Sequence, residues 1–128
     1  MSIRMLIKAV GYLASDRYQR KYIAQATKDE YVVPEELLDS TCGAIESYFR
    51  NPILLRQYSI QQLAALRHFY DIVKYTYSQI SFDNEAWDSI VENNKEWSQM
   101  RAAAKEFMVI LGGNLMQWEE VNVPGGGH

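Results

Sequence analysis

Apolar residues recur at intervals of three and four through most of the chain, and this spacing constrains the fold more than any other feature. Residues spaced in this way share one face of an α-helix, whereas a strand needs strict alternation, which the sequence does not show over any length. The clearest segment is Ile60–Ile80, and its apolar positions are Leu63, Leu66, Phe69, Tyr70, Val73, Tyr77 and Ile80. So wide an apolar arc predicts a central helix that is packed on two sides.

Residues that favour helix ends mark the limits of the predicted helices. Ser59 precedes the central segment and Gln62 follows three residues later, so we expect a capping box at its start. Gly112 is expected to end the last long helix, because glycine adopts the left-handed conformation that closes helices. The other predicted helices cover Ser2–Ala14, Arg17–Ala26, a segment from Pro34 to the residue before Asn51, Asn84–Glu92 and Lys95–Leu111, with Asp16, Asp83 and Asn93 or Asn94 as caps.

Short connections join these segments, and 128 residues are enough for one ordinary domain. The sequence therefore predicts an all-α, single-domain protein, a helical bundle or an orthogonal array of about five to six helices with helix 60–80 at its centre. We expect the domain to cover residues 1–121 and Trp118 to return to the core. Residues 122–128 are expected to form a flexible C-terminal tail, and the Gly-Gly-Gly-His ending is of a kind that cloning can add.

The residue types that carry catalysis are sparse. Cys42 is the lone cysteine and lies near an apolar helix face, which indicates a buried, inert thiol in a reducing compartment. His68 is the only internal histidine, and the chain contains no Glu-x-x-His pair, no Gly-x-Ser-x-Gly and no phosphate-binding glycine loop. No motif of a known family is evident. We therefore expect no enzyme, no metal site and no cofactor.

The N-terminal segment does not have the pattern of a secretion signal. Lys8 interrupts its apolar run, so no continuous apolar core forms. No stretch of the sequence approaches the ~20 apolar residues that a membrane span needs. We expect a cytoplasmic protein without a membrane partner.

Charge is distributed unevenly along the chain. Residues 1–28 contain six basic residues and one acidic residue, whereas residues 29–128 contain seven basic and fifteen acidic residues. Two stretches are especially acidic, Asp29–Glu46 and Asp83–Glu96. One interpretation is internal pairing, in which the basic start of the chain docks beside an acidic neighbour. The other is a binding site, because acidic surfaces with exposed aromatic residues attract basic proteins.

The first acidic stretch supplies the candidate protein-binding residues. They are Asp29, Glu30, Tyr31, Glu35, Glu36 and Asp39. Our leading hypothesis is a non-catalytic protein-binding module, most concretely a bacterial or phage immunity or inhibitor protein that binds a basic protein partner. The alternative is a structural or adaptor subunit of a larger assembly such as a virion, and the third is an enzyme of unrecognised type. The sequence leaves open whether the protein forms a homodimer. A nucleic-acid partner is not expected, because the total charge of the chain is acidic.

A second candidate patch lies on the predicted central helix. His68, Asp71 and Tyr75 are spaced at i, i+3 and i+7, on the side away from the apolar arc. This spacing indicates a polar contact patch whose histidine could titrate near neutral pH. An ordinary solvated helix face explains the same pattern, and we favour that interpretation.

Overall fold

The computed structural model describes residues 3–124, and within this range the protein is all-α, as the apolar spacing predicts. A π-helical turn over Arg20–Ala24 continues the second helix. The helices are α1 (Ile3–Ala14), α2 (Asp16–Gln19), α3 (Pro34–Phe49), α4 (Pro52–Leu55), α5 (Ile60–Gln79), α6 (Trp87–Asn93), α7 (Lys95–Ile110) and α8 (Leu115–Asn122).

The core spans α1, α3, α5 and α7, and α7 packs most extensively, against α1 and α5. Helix α5 contacts α3 on one side and α7 on the other, and α7 also contacts α1 and α6. Helices α5 and α7 thus share the central position. Trp97, Met100 and Ala104 of α7 are completely buried. The buried arc of α5 is narrower than the sequence predicts, because the Tyr77 side chain is 38% exposed.

Several predicted helix ends agree with the structure. Ser59 and Gln62 form the capping box of α5, each side chain accepting a backbone N–H of the other residue at 3.0 Å. Pro34 is the first residue of α3, and Asn94 caps α7. Gly112 follows Leu111, the C-terminal cap of α7, and its φ of 83° is the left-handed conformation that ends a helix.

Two predicted caps are wrong. Ser15, not Asp16, caps α2, because the backbone of Ser15 is extended and its hydroxyl accepts the N–H of Tyr18 at 3.0 Å. The helix predicted from Asn84 begins only at Trp87, after a turn that contains Asp83. The cap of α2 thus lies one residue before Asp16, and the cap of α6, Ala86, lies three residues after Asp83.

Helix α8 returns to the core as predicted, with Trp118 buried against α1. Asn122 is the last residue of α8 and Val123 is buried. Residues 125–128 of the predicted tail lie outside the described residues. Of the helices within residues 3–124, none combines the length and the apolar character that crossing a membrane requires.

Candidate functional site

The six candidate binding residues lie on the connector before α3 and on the first turns of α3, and we call them the acidic face. The connector is held in place, since the N–H of Val32 donates to the carbonyl of Tyr22 at 2.8 Å. A turn fixes its tip, where the N–H of Thr27 donates to the carbonyl of Glu30 at 2.9 Å. Five of the six side chains are exposed, and Glu35 is half-buried. The acidic face is thus an ordered, accessible surface.

No residue within 3–124 forms an ion pair with any acid of the Asp29–Glu46 stretch. The stretch itself contains six acids and no basic residue. Its negative charge is therefore not compensated by contact with a cation in the described part of the chain.

The aromatic residue of the acidic face joins the two acidic stretches. The Tyr31 ring lies 6.3 Å from the ring of Trp87 at the start of α6, and 57% of Tyr31 is exposed. Beside it is a shallow cavity of about 310 Å³ that is lined by Tyr31, Val32, Val33, Glu36, Leu37 and Ser40. Tyr31 thus offers an exposed ring next to carboxylates, which is the type of residue that anchors protein interfaces.

Helix α5 contributes two tyrosines that the apolar spacing predicts to face the core. The Tyr70 hydroxyl donates to Glu46 Oε2 at 2.6 Å, and the Tyr77 hydroxyl donates to Glu35 Oε1 at 3.4 Å. The bond to Glu46, together with burial, raises the pKa of Tyr70 to about 12. These bonds orient carboxylates of α3 without neutralising them. Only the docking of α3 on α5 reveals them, since the sequence shows no signal beyond tyrosines at seven-residue spacing.

A small cavity of about 230 Å³ lies between α3 and α5. Its lining residues are Asp39, Cys42, Gly43, Glu46, Lys74 and Tyr77. Burial raises the pKa of the Cys42 thiol, so the reactive thiolate is scarce near neutral pH. His68 is not among the lining residues, and the cavity therefore lacks the thiol–imidazole pair that nucleophilic catalysis would need.

Three of the six basic residues in the first 28 positions contact other elements. Arg17 lies 3.7 Å from Glu119 of α8, and Arg20 lies 3.1 Å from Glu92 of α6. Lys21 donates to the carbonyl of Pro124 at 2.8 Å. The internal pairing that the charge pattern suggests thus involves the second acidic stretch, through Glu92, but not the first.

The second candidate patch is brought together only in part. His68, Asp71 and Tyr75 are all exposed on α5, and they form no hydrogen bond with one another. Asp71 instead pairs with Arg67 at 3.6 Å, one turn away on the same helix. This arrangement is that of a solvated helix face.

Within residues 3–124, no group of three or more histidine, cysteine or acidic side chains is arranged to hold a metal ion. Comparisons of the chain with models of protein families, with curated proteins and with solved structures find no match.

Proposed function

We propose that the protein is a non-catalytic binding module whose acidic face docks on a partner protein with a basic surface. One observation carries the proposal: five acids follow one another closely on the connector and the first turns of α3, and none of them has a cationic partner among residues 3–124. An uncompensated cluster of charge on an ordered surface steers an oppositely charged protein toward it and raises the association rate.

Short-range affinity would come from the aromatic residue rather than from the charges. Rim charges mainly change association rates, whereas partly exposed aromatic side chains bury apolar area when a partner closes over them. Tyr31 is such a partly exposed aromatic residue, and it lines the same cavity as Glu36. The charges would therefore orient the partner and Tyr31 would hold it.

The concrete form of this proposal is a cytoplasmic immunity or inhibitor protein of bacterial or phage type. A nuclease is a suitable class of target, because an enzyme that binds nucleic acid must present basic residues to phosphates. An acidic protein that covers those residues blocks the active surface without any chemistry of its own.

A structural or adaptor subunit is the second candidate, and the exposed apolar residues of α8 favour it. Met116 is 73% exposed and Val121 is 79% exposed, although both side chains are apolar. Covering such residues in an assembly would be favourable, because it removes apolar surface from water. Sedimentation of the purified protein separates the candidates, since a subunit of this kind self-associates whereas an inhibitor stays monomeric or dimeric.

The decisive experiment begins with affinity capture of the partner from the source cells, followed by association kinetics with that purified partner. We expect the association rate to fall as salt rises, because salt screens the attraction between the two surfaces. Reversing three charges, Glu35→Lys, Glu36→Lys and Asp39→Lys, is expected to slow association by at least about tenfold and to flatten the salt dependence.

A matched control changes the net charge by the same amount elsewhere. Asp83→Lys, Glu106→Lys and Glu120→Lys replace exposed acids that have no ion pair within residues 3–124. This control should keep most of the wild-type rate. Equal rates for the two triple variants would contradict the assignment to the acidic face, and a partner without a basic surface would contradict the proposal as a whole.

A further inference from the structure

A groove of about 490 Å³ lies between the first half of α1 and helix α8. It shares no residue with the acidic face, and its volume falls within the usual range of small-molecule sites, which is roughly 300–1,000 Å³. Its lining residues are Arg4, Ile7 and Lys8 from α1, the turn Gly112–Asn114, and Gln117, Trp118, Val121 and Asn122 from α8.

The floor of the groove is apolar and firmly built. Trp118 is buried, and its indole N–H donates to the carbonyl of Lys8 at 3.0 Å, which ties α8 to α1. Ile7 and Val121 add aliphatic surface to the lining. The turn after α7 also lines the groove, and a Cβ added at Gly112 would meet no atom within 4 Å.

Two cations line the groove on the α1 side. Arg4 and Lys8 are one helical turn apart and both are exposed. Neither forms an ion pair or a side-chain hydrogen bond with another residue in the range 3–124. They differ in this respect from Arg17 and Arg20, whose charges are met by Glu119 and Glu92.

We propose that this groove binds a small amphipathic anion, with the anionic head between Arg4 and Lys8 and a short apolar body on Ile7, Trp118 and Val121. The charge of the two cations selects the head, because an uncompensated pair of cations attracts a negative group and repels a positive one. The apolar floor selects the body, because covering it removes apolar surface from water.

The test uses octanoate, which carries both parts of such a ligand. Acetate carries the head alone, and octylammonium carries the same tail with the opposite charge. Titration followed by calorimetry should show saturable binding of octanoate with a dissociation constant of about 1 mM or below. Acetate and octylammonium should each bind at least about tenfold more weakly.

The position of the ligand is read from tryptophan indole signals in NMR spectra. The Trp118 indole N–H signal should shift with octanoate because that group forms part of the groove floor. The Trp97 indole N–H is buried in the core, where it donates to Gln19 Oε1 at 3.0 Å, and its signal should stay in place.

Paired variants test the two cations. Arg4→Glu with Lys8→Glu should weaken octanoate binding by about tenfold or more. The control pair, Lys28→Glu with Arg56→Glu, makes the same change of charge at exposed residues outside the groove and should bind as the wild type does.

A single variant tests the groove even if the double variant of Arg4 and Lys8 does not fold. Gln117→Glu places a negative charge in the groove at the third position of α8, where glutamate suits a helix that Asn114 caps. This variant should also weaken octanoate binding, whereas Gln99→Glu on the exposed surface of α7 should not.

Three results would overturn the proposal: no saturable binding of octanoate, equal binding of octylammonium, or equal affinities for the groove and control variants. A groove that instead takes a peptide segment of a protein partner gives the first of these results.

Discussion

At the scale of single residues, Gln19 shows how one buried polar side chain joins three parts of the molecule. Its amide N–H groups donate to the carbonyls of Tyr12 and Leu13 at 3.0 and 2.9 Å, which are end carbonyls that α1 cannot satisfy itself. Its Oε1 accepts from the Trp97 indole at 3.0 Å and from Arg101 at 2.9 Å. The amide is completely buried and fully bonded, so it specifies how α1 meets α7.

Replacing this amide by an apolar side chain of similar length is expected to be costly. Gln19→Met would leave two carbonyls and the Trp97 indole without partners, and we expect a loss of about 3 kcal/mol in the free energy of unfolding. Urea denaturation followed by circular dichroism measures this loss of stability. Gln99→Met, at an exposed position of α7, is the control and should change stability by no more than about 0.5 kcal/mol. Similar midpoints for the two variants would show that the Gln19 hydrogen bonds contribute little.

At the scale of helices, the contact of α8 with α1 depends on the absence of a side chain at Gly11. A methyl group at this position would overlap the Trp118 ring, so the ring can lie against α1 only where glycine stands. Tyr12 and Tyr18 enclose the same ring edge-on, with centroids 5.0 and 5.8 Å away. Gly11 weakens α1 as an isolated helix, and the close packing of Trp118 offsets that cost.

Two glycine-to-alanine substitutions within helices should therefore have opposite signs. Gly11→Ala is expected to destabilise the protein by roughly 1–3 kcal/mol, because the Trp118 ring must move. Gly43→Ala, in the interior of α3 where an added methyl meets no atom within 4 Å, should stabilise it by about 0.5–1 kcal/mol through helix propensity. The melting temperatures of both variants, compared with that of the wild type, test this expectation. A stabilised Gly11→Ala protein would disprove the packing argument.

At the scale of the whole molecule, ionisable side chains connect the elements that the chain separates. Asp16 binds Arg101 and Lys105 of α7 at 2.5 and 3.1 Å, and Tyr70 joins α5 to α3 through Glu46. Exposed ion pairs such as Arg20–Glu92 contribute only about 0–1 kcal/mol each, so they adjust the docking of helices that apolar burial already holds. The acids of the acidic face and the groove cations Arg4 and Lys8 form no such pair within residues 3–124.

The tyrosines predict how stability depends on alkaline pH. Burial is the main cause that raises the pKa of Tyr18 to about 12, and the bond to Glu46 is the main cause that raises that of Tyr70 to about 12. In the unfolded chain tyrosine ionises near pH 10, so between about pH 10 and 12 the unfolded state binds fewer protons and stability falls as pH rises. Below pH 10 these groups should cause no pH dependence.

Urea midpoints measured from pH 8 to 12 test this expectation. The double variant Tyr18→Phe, Tyr70→Phe should lose less of its stability over that interval than the wild type, because both rings remain and both hydroxyls are gone. Tyr75→Phe, an exposed position outside the core, is the control. Parallel curves for the wild type and the double variant would contradict the assigned pKa shifts.

Local sequence signals were sufficient wherever a helix is decided by its own residues. The spacing of apolar residues, the Ser59–Gln62 pair and the glycine after α7 each act through neighbours within one or two turns, and the structure confirms the helices that they predict. The accessibility of Asp29, Glu36 and Asp39 was also predictable, since charged side chains without nearby cations stay in water.

What the sequence determined by itself is thus the all-α class, the limits of most helices and the uneven distribution of charge, because these depend on short-range propensity and on composition. Tertiary structure alone decided which acids are paired, that Tyr70 and Tyr77 turn toward carboxylates, and that Arg4 and Lys8 line a groove with Trp118. Each of these is a contact between residues far apart in the chain, and such contacts follow from how helices pack, which no local pattern encodes.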